Sequence, residues 1–149
     1  MKIIIGRVDK ADFPELSLLG IDVKIDSGAY TSSVHSSKIK EVTTNGTSFI
    51  QFTLLDPEHP FYNNKEFISK SYSSKIIKSS NGISEIRFMI HTEIIIFNKS
   101  FPIYLTLSER KEMKFPVLLG RKFLNKKFII NTAKKNISHK LKYKKECEL

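Results

Sequence analysis

Short runs of strand-forming residues, separated by closely spaced turn signals, dominate this chain. Apolar and polar side chains alternate in residues 21–26 and again in residues 48–55, as they do in half-buried strands. Asn45-Gly46 lies just before the second run, and this dipeptide is typical of a type I′ hairpin turn. Many short strands joined by tight turns predict an all-β barrel or sandwich.

The same criteria place other elements along the sequence. Asp9–Leu19, which contains Pro14, is predicted to be a loop. We expect residues 1–133 to form one folded domain and residues 134–149 to form a basic C-terminal tail. Further strands are predicted over Lys2–Val8, Val34–Val42, Glu66–Lys78, Ile83–Ile96, Ser100–Leu107, Val117–Leu119 and Phe128–Asn131, with short helices over Ser108–Lys114 and Arg121–Asn125.

Length and composition limit the class of protein. At 149 residues the chain suffices for one domain, and its 40% hydrophobic content is ordinary for a globular protein. No run approaches the roughly 20 apolar residues of a membrane span, so no membrane partner is expected. The single cysteine, Cys147, excludes an intramolecular disulfide, which favours the reducing cytoplasm.

The net charge of +10 leaves three explanations open. It fits nucleic-acid binding, an acidic protein substrate, or a lysine-rich composition with a solvated basic tail. Arginines are few, and basic residues are not interleaved with aromatic ones as in single-strand-binding proteins. Nucleic acid is therefore not expected to be the main partner.

The strand at residues 21–26 ends on a carboxylate, Asp26, which Ser27-Gly28-Ala29 follows. Glycine can adopt backbone angles closed to other residues and lets another main chain pass closely. An aspartate in a glycine turn is usually only a turn residue. Taken alone, the tetrapeptide is therefore a weak signal for chemistry.

A second stretch, Phe115–Leu119 followed by Gly120-Arg121, makes the early one more informative. An early Asp-Ser-Gly-Ala paired with a late apolar-apolar-Gly-Arg resembles the retroviral-type aspartic proteases, the retropepsins. The resemblance narrows to one bacterial family that is labelled "putative ATP-dependent zinc protease" although its fold is retropepsin-like. The motifs that carry this resemblance occur in order from about Ile4 to Ile130, as Ile4–Arg7, Pro14–Leu16, Lys24–His35, Lys78–Gly82 and Leu118–Arg121.

The resemblance implies an all-β, closed acid-protease barrel with one or two short helices and the activity of a retropepsin-type aspartic endopeptidase. This chemistry needs two carboxylates that share one proton, so that one activates a water and the other donates to the scissile carbonyl. The chain has one Asp-Ser-Gly motif, so the resemblance implies a homodimer with Asp26 of each subunit as the catalytic carboxylate. Ser27, Gly28 and Ala29 then form the active-site loop. The alternative is a non-catalytic β-barrel module that binds a peptide or protein, with Asp26 merely capping a turn.

Two further segments gain roles from the resemblance. Ser79-Ser80-Asn81-Gly82, between two long strands, corresponds to the flap, a hairpin that closes over substrate. Without the flanking motifs it would be an ordinary hairpin turn. Gly120 and Arg121 correspond to structural support beneath the active-site loop. Because a helix dipole disfavours a cation at its start, Arg121 either pairs with a carboxylate or is an ordinary surface arginine.

The sequence predicts no cofactor and no metal site. The four histidines are scattered, and the chain lacks a His-Glu-x-x-His motif, a Cys/His cluster and a phosphate-binding loop. His35 follows the Asp loop and is placed to accept a hydrogen bond near the site, although such a histidine is more often structural. The family resembled is often encoded beside ligases that add glutamate to proteins, which implies an acidic or glutamate-tailed peptide substrate.

Overall fold

The computed structural model describes residues 2–78, 82–109 and 114–147, and in these it contains eleven strands and two helices. A short 3-10 turn, Pro14–Leu16, joins the second strand to the third. No helix in these ranges is long and apolar enough to cross a membrane. The elements are β1 (Ile3–Ile5), β2 (Val8–Phe13), β3 (Leu18–Ile25), β4 (Ser32–Thr44), β5 (Thr47–Leu54), β6 (Glu66–Ser69), β7 (Tyr72–Lys78), β8 (Ser84–Ile96), β9 (Lys99–Ser108), β10 (Val117–Leu119), α1 (Arg121–Leu124), β11 (Phe128–Ile130) and α2 (Ile137–Cys147).

A closed barrel is formed by β10, β3, β2, β8, β9 and β4 in that order, and the pairing of β10 with β4 closes it. β10 lies between two strands, since Leu119 pairs in parallel with Ile25 of β3 and Val117 pairs antiparallel with Val34 of β4. β5 and β6 extend the sheet beyond β4, β7 pairs with β8, and β1 and β11 form a separate two-stranded sheet. The predicted all-β closed barrel with one or two short helices is confirmed.

The apolar side of each alternating strand fills the barrel interior. In β3, Ile21 and Val23 are fully buried and Ile25 nearly so, while Asp22 and Lys24 between them face solvent. Burying one such apolar side chain stabilises the fold by roughly 1.5–3 kcal/mol, so the alternation determines which face of β3 points inward. β3 therefore enters the turn at residue 26 in a fixed register.

The predicted loop Asp9–Leu19 is wrong over its first half, where the chain forms β2. Every second residue of β2 is buried, namely Asp9, Ala11 and Phe13. A carboxylate at an inward position concealed this alternation, because aspartates are rarely buried. The predicted strand Glu66–Lys78 is likewise two strands, β6 and β7.

The first predicted strand, Lys2–Val8, is interrupted at Gly6, so β1 and β2 are separate strands. Any side chain on Gly6 would collide with the main-chain carbonyl of Lys134, which passes directly over it. The helix predicted over Ser108–Lys114 lies mostly outside the described residues. Ser108, the first residue of this predicted helix, is instead the last residue of β9.

The segment that the sequence assigns to a basic tail contains α2, which packs against β2. The N–H of Arg7 donates to the carbonyl of Lys134 at 2.8 Å, and the N–H of Asn136 donates to the carbonyl of Val8 at 2.8 Å. At the start of α2 the Asp9 carboxylate accepts the N–H of the second and third helical residues at 2.9 and 3.1 Å. A buried side chain of the barrel thus caps this helix.

Candidate active site

Asp26 stands at the end of β3, on the turn that the sequence singles out. Its N–H donates to the carbonyl of Leu119 at 2.9 Å, which ties the turn to β10. The N–H of Ala29 donates to the Asp26 carbonyl at 3.2 Å and closes the turn. The N–H of Gly28 donates to Asp26 Oδ1 at 3.0 Å. One carboxylate oxygen is therefore held by the loop, which fixes the orientation of this half-buried carboxylate.

Gly28 is needed in this turn for space rather than for unusual backbone angles. Its φ is not in the left-handed region, so the unusual backbone angles that the sequence suggests for this glycine are not needed here. A Cβ on Gly28 would lie 3.3 Å from Asp26 Oδ1, tighter than most real contacts. The glycine therefore leaves room for the carboxylate oxygen that its own N–H binds.

The active-site loop rests on the junction of β10 and α1. The N–H of Arg121 donates to the Ala29 carbonyl at 2.8 Å, and the N–H of Gly120 donates to Ser32 Oγ at 3.0 Å. A Cβ on Gly120 would lie 2.7 Å from the carbonyl oxygens of both Tyr30 and Thr31. Only a glycine permits this approach without displacing the loop.

The Arg121 side chain also contacts the loop. Its Nη1 donates to the Ser27 carbonyl at 2.8 Å, and its guanidinium carbon lies 5.8 Å from the Tyr30 ring centroid. Within the described chain its hydrogen-bond partner is thus a main-chain carbonyl and not the carboxylate that the helix dipole suggests. The Arg121 guanidinium therefore links the loop at Ser27 to the start of α1.

Asp26 lines a pocket of about 210 Å³ between the loop and the strands β4, β8 and β9. It is the one carboxylate among the described residues that line the pocket, and Arg87 is the one cation. The lining residues are Asp26, Ala29, Thr31, Ser33, Arg87, Thr106, Ser108 and Leu118.

Sequence reasoning missed Arg87. It lies on β8, opposite Lys75 in the β7–β8 hairpin, and its nearest acidic neighbour, Glu85, is 3.9 Å away, beyond hydrogen-bond distance. Its guanidinium therefore has donors left for a ligand in the pocket. The signal that could have found it is its position a few residues after the predicted flap, on a strand that returns over the Asp loop.

The predicted flap lies in sequence between β7 and β8, which pair antiparallel from Tyr72 and Ile90 to Lys78 and Ser84. Ser79, Ser80 and Asn81 lie outside the described residues. Gly82 is exposed, with φ of +83°, a left-handed angle typical of glycine in a tight turn. The hairpin is therefore present, and closure over substrate stays a prediction.

His35 does not line the Asp26 pocket. It is buried on β4, and burial lowers the pKa of its imidazole, an effect that the negative charge of Asp56 partly offsets. The structure thus places it among the core residues. Nowhere in the described ranges do three or more His, Cys, Asp or Glu side chains form a group that could hold a metal ion.

Comparison with known proteins finds relatives that match most of this chain. "Probable alpha-L-glutamate ligase" of Desulfotalea psychrophila is 36% identical over 136 residues, which is 89% of this chain and 28% of that protein. The protein of the same description from Shewanella pealeana is 35% identical over 89% of this chain and 29% of its own length. The chain therefore spans less than a third of the length of these relatives.

A solved structure shows the same fold. Lpg0085 from Legionella pneumophila, described as of unknown function, superposes with a TM-score of 0.67 at 22% identity, covering 93% of this chain and 99% of that one. A family model described as "Retropepsin-like aspartic endopeptidase RimB" matches residues 4–141. Its description is that of an aspartic endopeptidase and not the zinc-protease label of the family that the motifs resemble. The chain therefore belongs to the RimB-like family of retropepsin-like aspartic endopeptidases.

Proposed function

We propose that this protein is a homodimeric aspartic endopeptidase of the cytoplasm that hydrolyses peptide bonds in acidic, glutamate-tailed substrates. The observation that carries the proposal is the position of Asp26, which a glycine loop holds against a pocket in a retropepsin-like barrel. The N–H of Gly28 donates a hydrogen bond to one carboxylate oxygen of Asp26. The carboxylate is thus oriented toward the pocket by a main-chain hydrogen bond.

In the proposed reaction two carboxylates share one proton. Like charges a few ångströms apart cannot both ionise, so one group keeps its proton at a pH where the other has lost it. The ionised Asp26 removes a proton from a water that attacks the peptide carbonyl, while the protonated one donates to the carbonyl oxygen. The tetrahedral diol then collapses: the carboxyl group that took the water proton gives it to the amide nitrogen, the other carboxylate takes a proton from a hydroxyl, and the C–N bond breaks. One water is consumed per bond cleaved, the shared proton is restored, and no covalent intermediate with the protein forms.

A homodimer supplies the second carboxylate, because Asp26 is the one carboxylate among the described residues that line the pocket of a single chain. A twofold axis passing near this residue would bring two copies together through a self-complementary interface. The small sheet of β1 and β11 supports such an interface. Ile4 and Ile129 are paired in register there, and their exposed fractions are 52% and 53%, although isoleucines are usually buried.

Arg87 supports an acidic substrate. Its guanidinium shares the pocket with Asp26 and is placed to bind a carboxylate side chain next to the scissile bond. The relatives named as glutamate ligases support the same substrate class, because a bond to glutamate that a ligase forms is the kind of bond that such a peptidase would cut. The flap hairpin carries exposed Ile76 and Ile86, which are placed to shield the bound peptide from water.

The test is cleavage of a protein or peptide with a glutamate tail by the purified chain, followed by mass spectrometry. The assay contains a strong chelator and no nucleotide, since the mechanism uses neither metal nor ATP. Asp26→Asn keeps the shape of the side chain but removes the base, so cleavage should fall by about 10²–10⁴-fold or more. Asp22→Asn, on the exposed face of the same strand, is the matched control and should cleave at the wild-type rate.

Mixed dimers test the shared site. Titrating wild type with excess Asp26→Asn should poison activity, because a heterodimer holds one ionisable carboxylate where two are needed. Full activity in a mixture whose heterodimers are demonstrated by mass spectrometry would refute the shared site. If the Asp26→Asn variant by itself cleaves the peptide at the wild-type rate, the aspartic mechanism is refuted and another residue must be the catalyst. Binding of the peptide with no cleavage by wild type would favour the non-catalytic module.

A further inference from the structure

A second pocket, of about 340 Å³, lies beside the active-site pocket, and Thr31 lines both of them. It lies between α1 and the strands β8 and β9, and Asp26 is not among the residues that line it. Its lining residues are Thr31, Ser32, His91, Pro102, Ile103, Tyr104, Lys122, Phe123 and Lys127. We call it the lysine–aromatic pocket.

The charge of this pocket is positive. Lys122 and Lys127 line it, and none of the described residues that line it is a carboxylate. Lys127 Nζ donates to the Phe123 carbonyl at 3.0 Å and so keeps further donors free, because an ammonium group has three. The positive charge is therefore not neutralised by an acidic neighbour within the pocket.

Aromatic rings hold both ammonium groups in place. Lys122 Nζ lies 4.4 Å from the centroid of the Tyr104 ring, and Lys127 Nζ lies 5.0 Å from that of Phe123. Tyr104 is itself stacked on His91, with ring centroids 4.6 Å apart, and the two residues are paired across β8 and β9. Cations restrained by cation–π contacts lose less side-chain freedom when they bind an anion than cations on free side chains.

We propose that the lysine–aromatic pocket is a substrate subsite that binds a carboxylate side chain a few residues away from the bond cleaved at Asp26. The proposal rests on the proposed peptidase function and adds to it a second point of recognition. An extended peptide places side chains on one face roughly every 7 Å, so a run of glutamates presents a row of carboxylates. Arg87 takes one carboxylate in the active-site pocket, and Lys122 with Lys127 takes another beyond Thr31.

The experiment measures binding without cleavage. Labelled hexaglutamate is titrated against the otherwise intact Asp26→Asn protein by fluorescence anisotropy, with hexaglutamine as the uncharged peptide. The double variant Lys122→Gln/Lys127→Gln should weaken hexaglutamate binding about 5- to 10-fold, consistent with the loss of two partly screened charge contacts. Diglutamate, too short to fill both pockets, should bind the parent and the double variant alike.

Two controls separate the pocket from net charge and from folding. Lys126→Gln removes a positive charge next to Lys127 in sequence but outside the pocket lining, and it should change binding less than about 2-fold. Lys122→Arg/Lys127→Arg keeps both charges and should restore most of the affinity. Thermal unfolding of each variant checks that the fold is retained.

The outcomes are distinct. The subsite is refuted if the double variant binds hexaglutamate like Lys126→Gln, if diglutamate is affected equally, or if the parent does not prefer hexaglutamate to hexaglutamine. Lysine-dependent hexaglutamate binding by the Asp26→Asn protein, together with no cleavage of hexaglutamate by the protein that retains Asp26, would support the pocket and refute the peptidase. Cleavage that is insensitive to both lysines would support the peptidase and refute the pocket.

Discussion

Asp9 and Asp26 are both aspartates of the barrel, and the structure uses them in opposite ways. Asp9 is 1% exposed, and its two oxygens accept the N–H groups of Lys10, Ser138 and His139 at 2.8, 2.9 and 3.1 Å. Asp26 is half-buried, and one described donor, the N–H of Gly28, binds its side chain. The first carboxylate is bound by three main-chain N–H groups, and the second faces a pocket.

The comparison separates a carboxylate that stabilises from one that is available to react. Three N–H donors and the start of α2 make Asp9 part of the interface between barrel and helix. Asp26 has acceptor capacity left, because an ionised carboxylate has about four lone-pair sites. Loss of Asp9 should therefore affect folding, and loss of Asp26 should affect the proposed chemistry.

The largest stability effect is expected from Asp9→Ala. Buried N–H groups at the start of α2 lose their acceptor, so the free energy of unfolding should fall by about 2–3 kcal/mol. Urea unfolding followed by circular dichroism measures it. Asp26→Ala is the control and should stay within about 0.5 kcal/mol of wild type. Equal stabilities for the two variants would show that the contrast drawn between these carboxylates is mistaken.

Two glycines, one near the attachment of α2 and one beneath the Asp26 loop, allow the same two regions to be compared. Gly6 lies under the Lys134 carbonyl and Gly120 under those of Tyr30 and Thr31, so an added methyl must displace main chain at either place. Each change to alanine should destabilise the protein by about 1–3 kcal/mol. Gly120→Ala should also lower peptide cleavage about 10-fold or more, because a misplaced active-site group is costly.

The activity per folded molecule distinguishes the two glycine variants. Gly6→Ala should keep it within a factor of about two, since its strain falls on the segment that leads to α2. Activity is measured at a temperature where both variants are folded. An equal loss of activity in both would indicate that the two regions are coupled rather than separate.

Acidification should lower the stability of the protein through the buried imidazole of His35. Burial lowers its pKa below the ordinary value of 6.5, so the unfolded chain takes up the proton first as pH falls. Stability that is complete above pH 6.5 should therefore decline below it, by at most about 1.4 kcal/mol per pH unit from this residue. Urea unfolding between pH 7.5 and about 5 measures the slope, with His35→Gln as the comparison. A slope unchanged by His35→Gln would assign the decline to other groups.

The smallest effect is expected from Arg121→Lys. The hydrogen bond from Arg121 to the Ser27 carbonyl is exposed, so stability should change by about 0.5 kcal/mol or less. Cleavage should fall a few-fold, since lysine lacks the planar group that lies near both Ser27 and Tyr30. If stability falls more than in Asp9→Ala, Arg121 supports the fold and not only the loop.

The family resemblance implies the closed barrel, whereas the residue patterns by themselves predict an all-β barrel or sandwich and the turn at Asp26. These features are local, because the alternation in β3 and the glycine turn after it are read from adjacent residues. The motif at Gly120-Arg121 is short as well, and the structure places it in contact with the loop at Ala29 and Ser27. Whether Asp26 is catalytic stays a prediction.

Tertiary structure decided what lies around the Asp26 turn. Arg87, Lys122 and Lys127 come from distant parts of the chain and meet the loop only because of the order of strands in the barrel. The same holds for Asp9, whose burial breaks the apolar pattern of β2 and whose partners lie at the start of α2. The alternation of apolar and polar side chains along a strand indicates which face is buried, but it does not indicate which distant residues that face will contact.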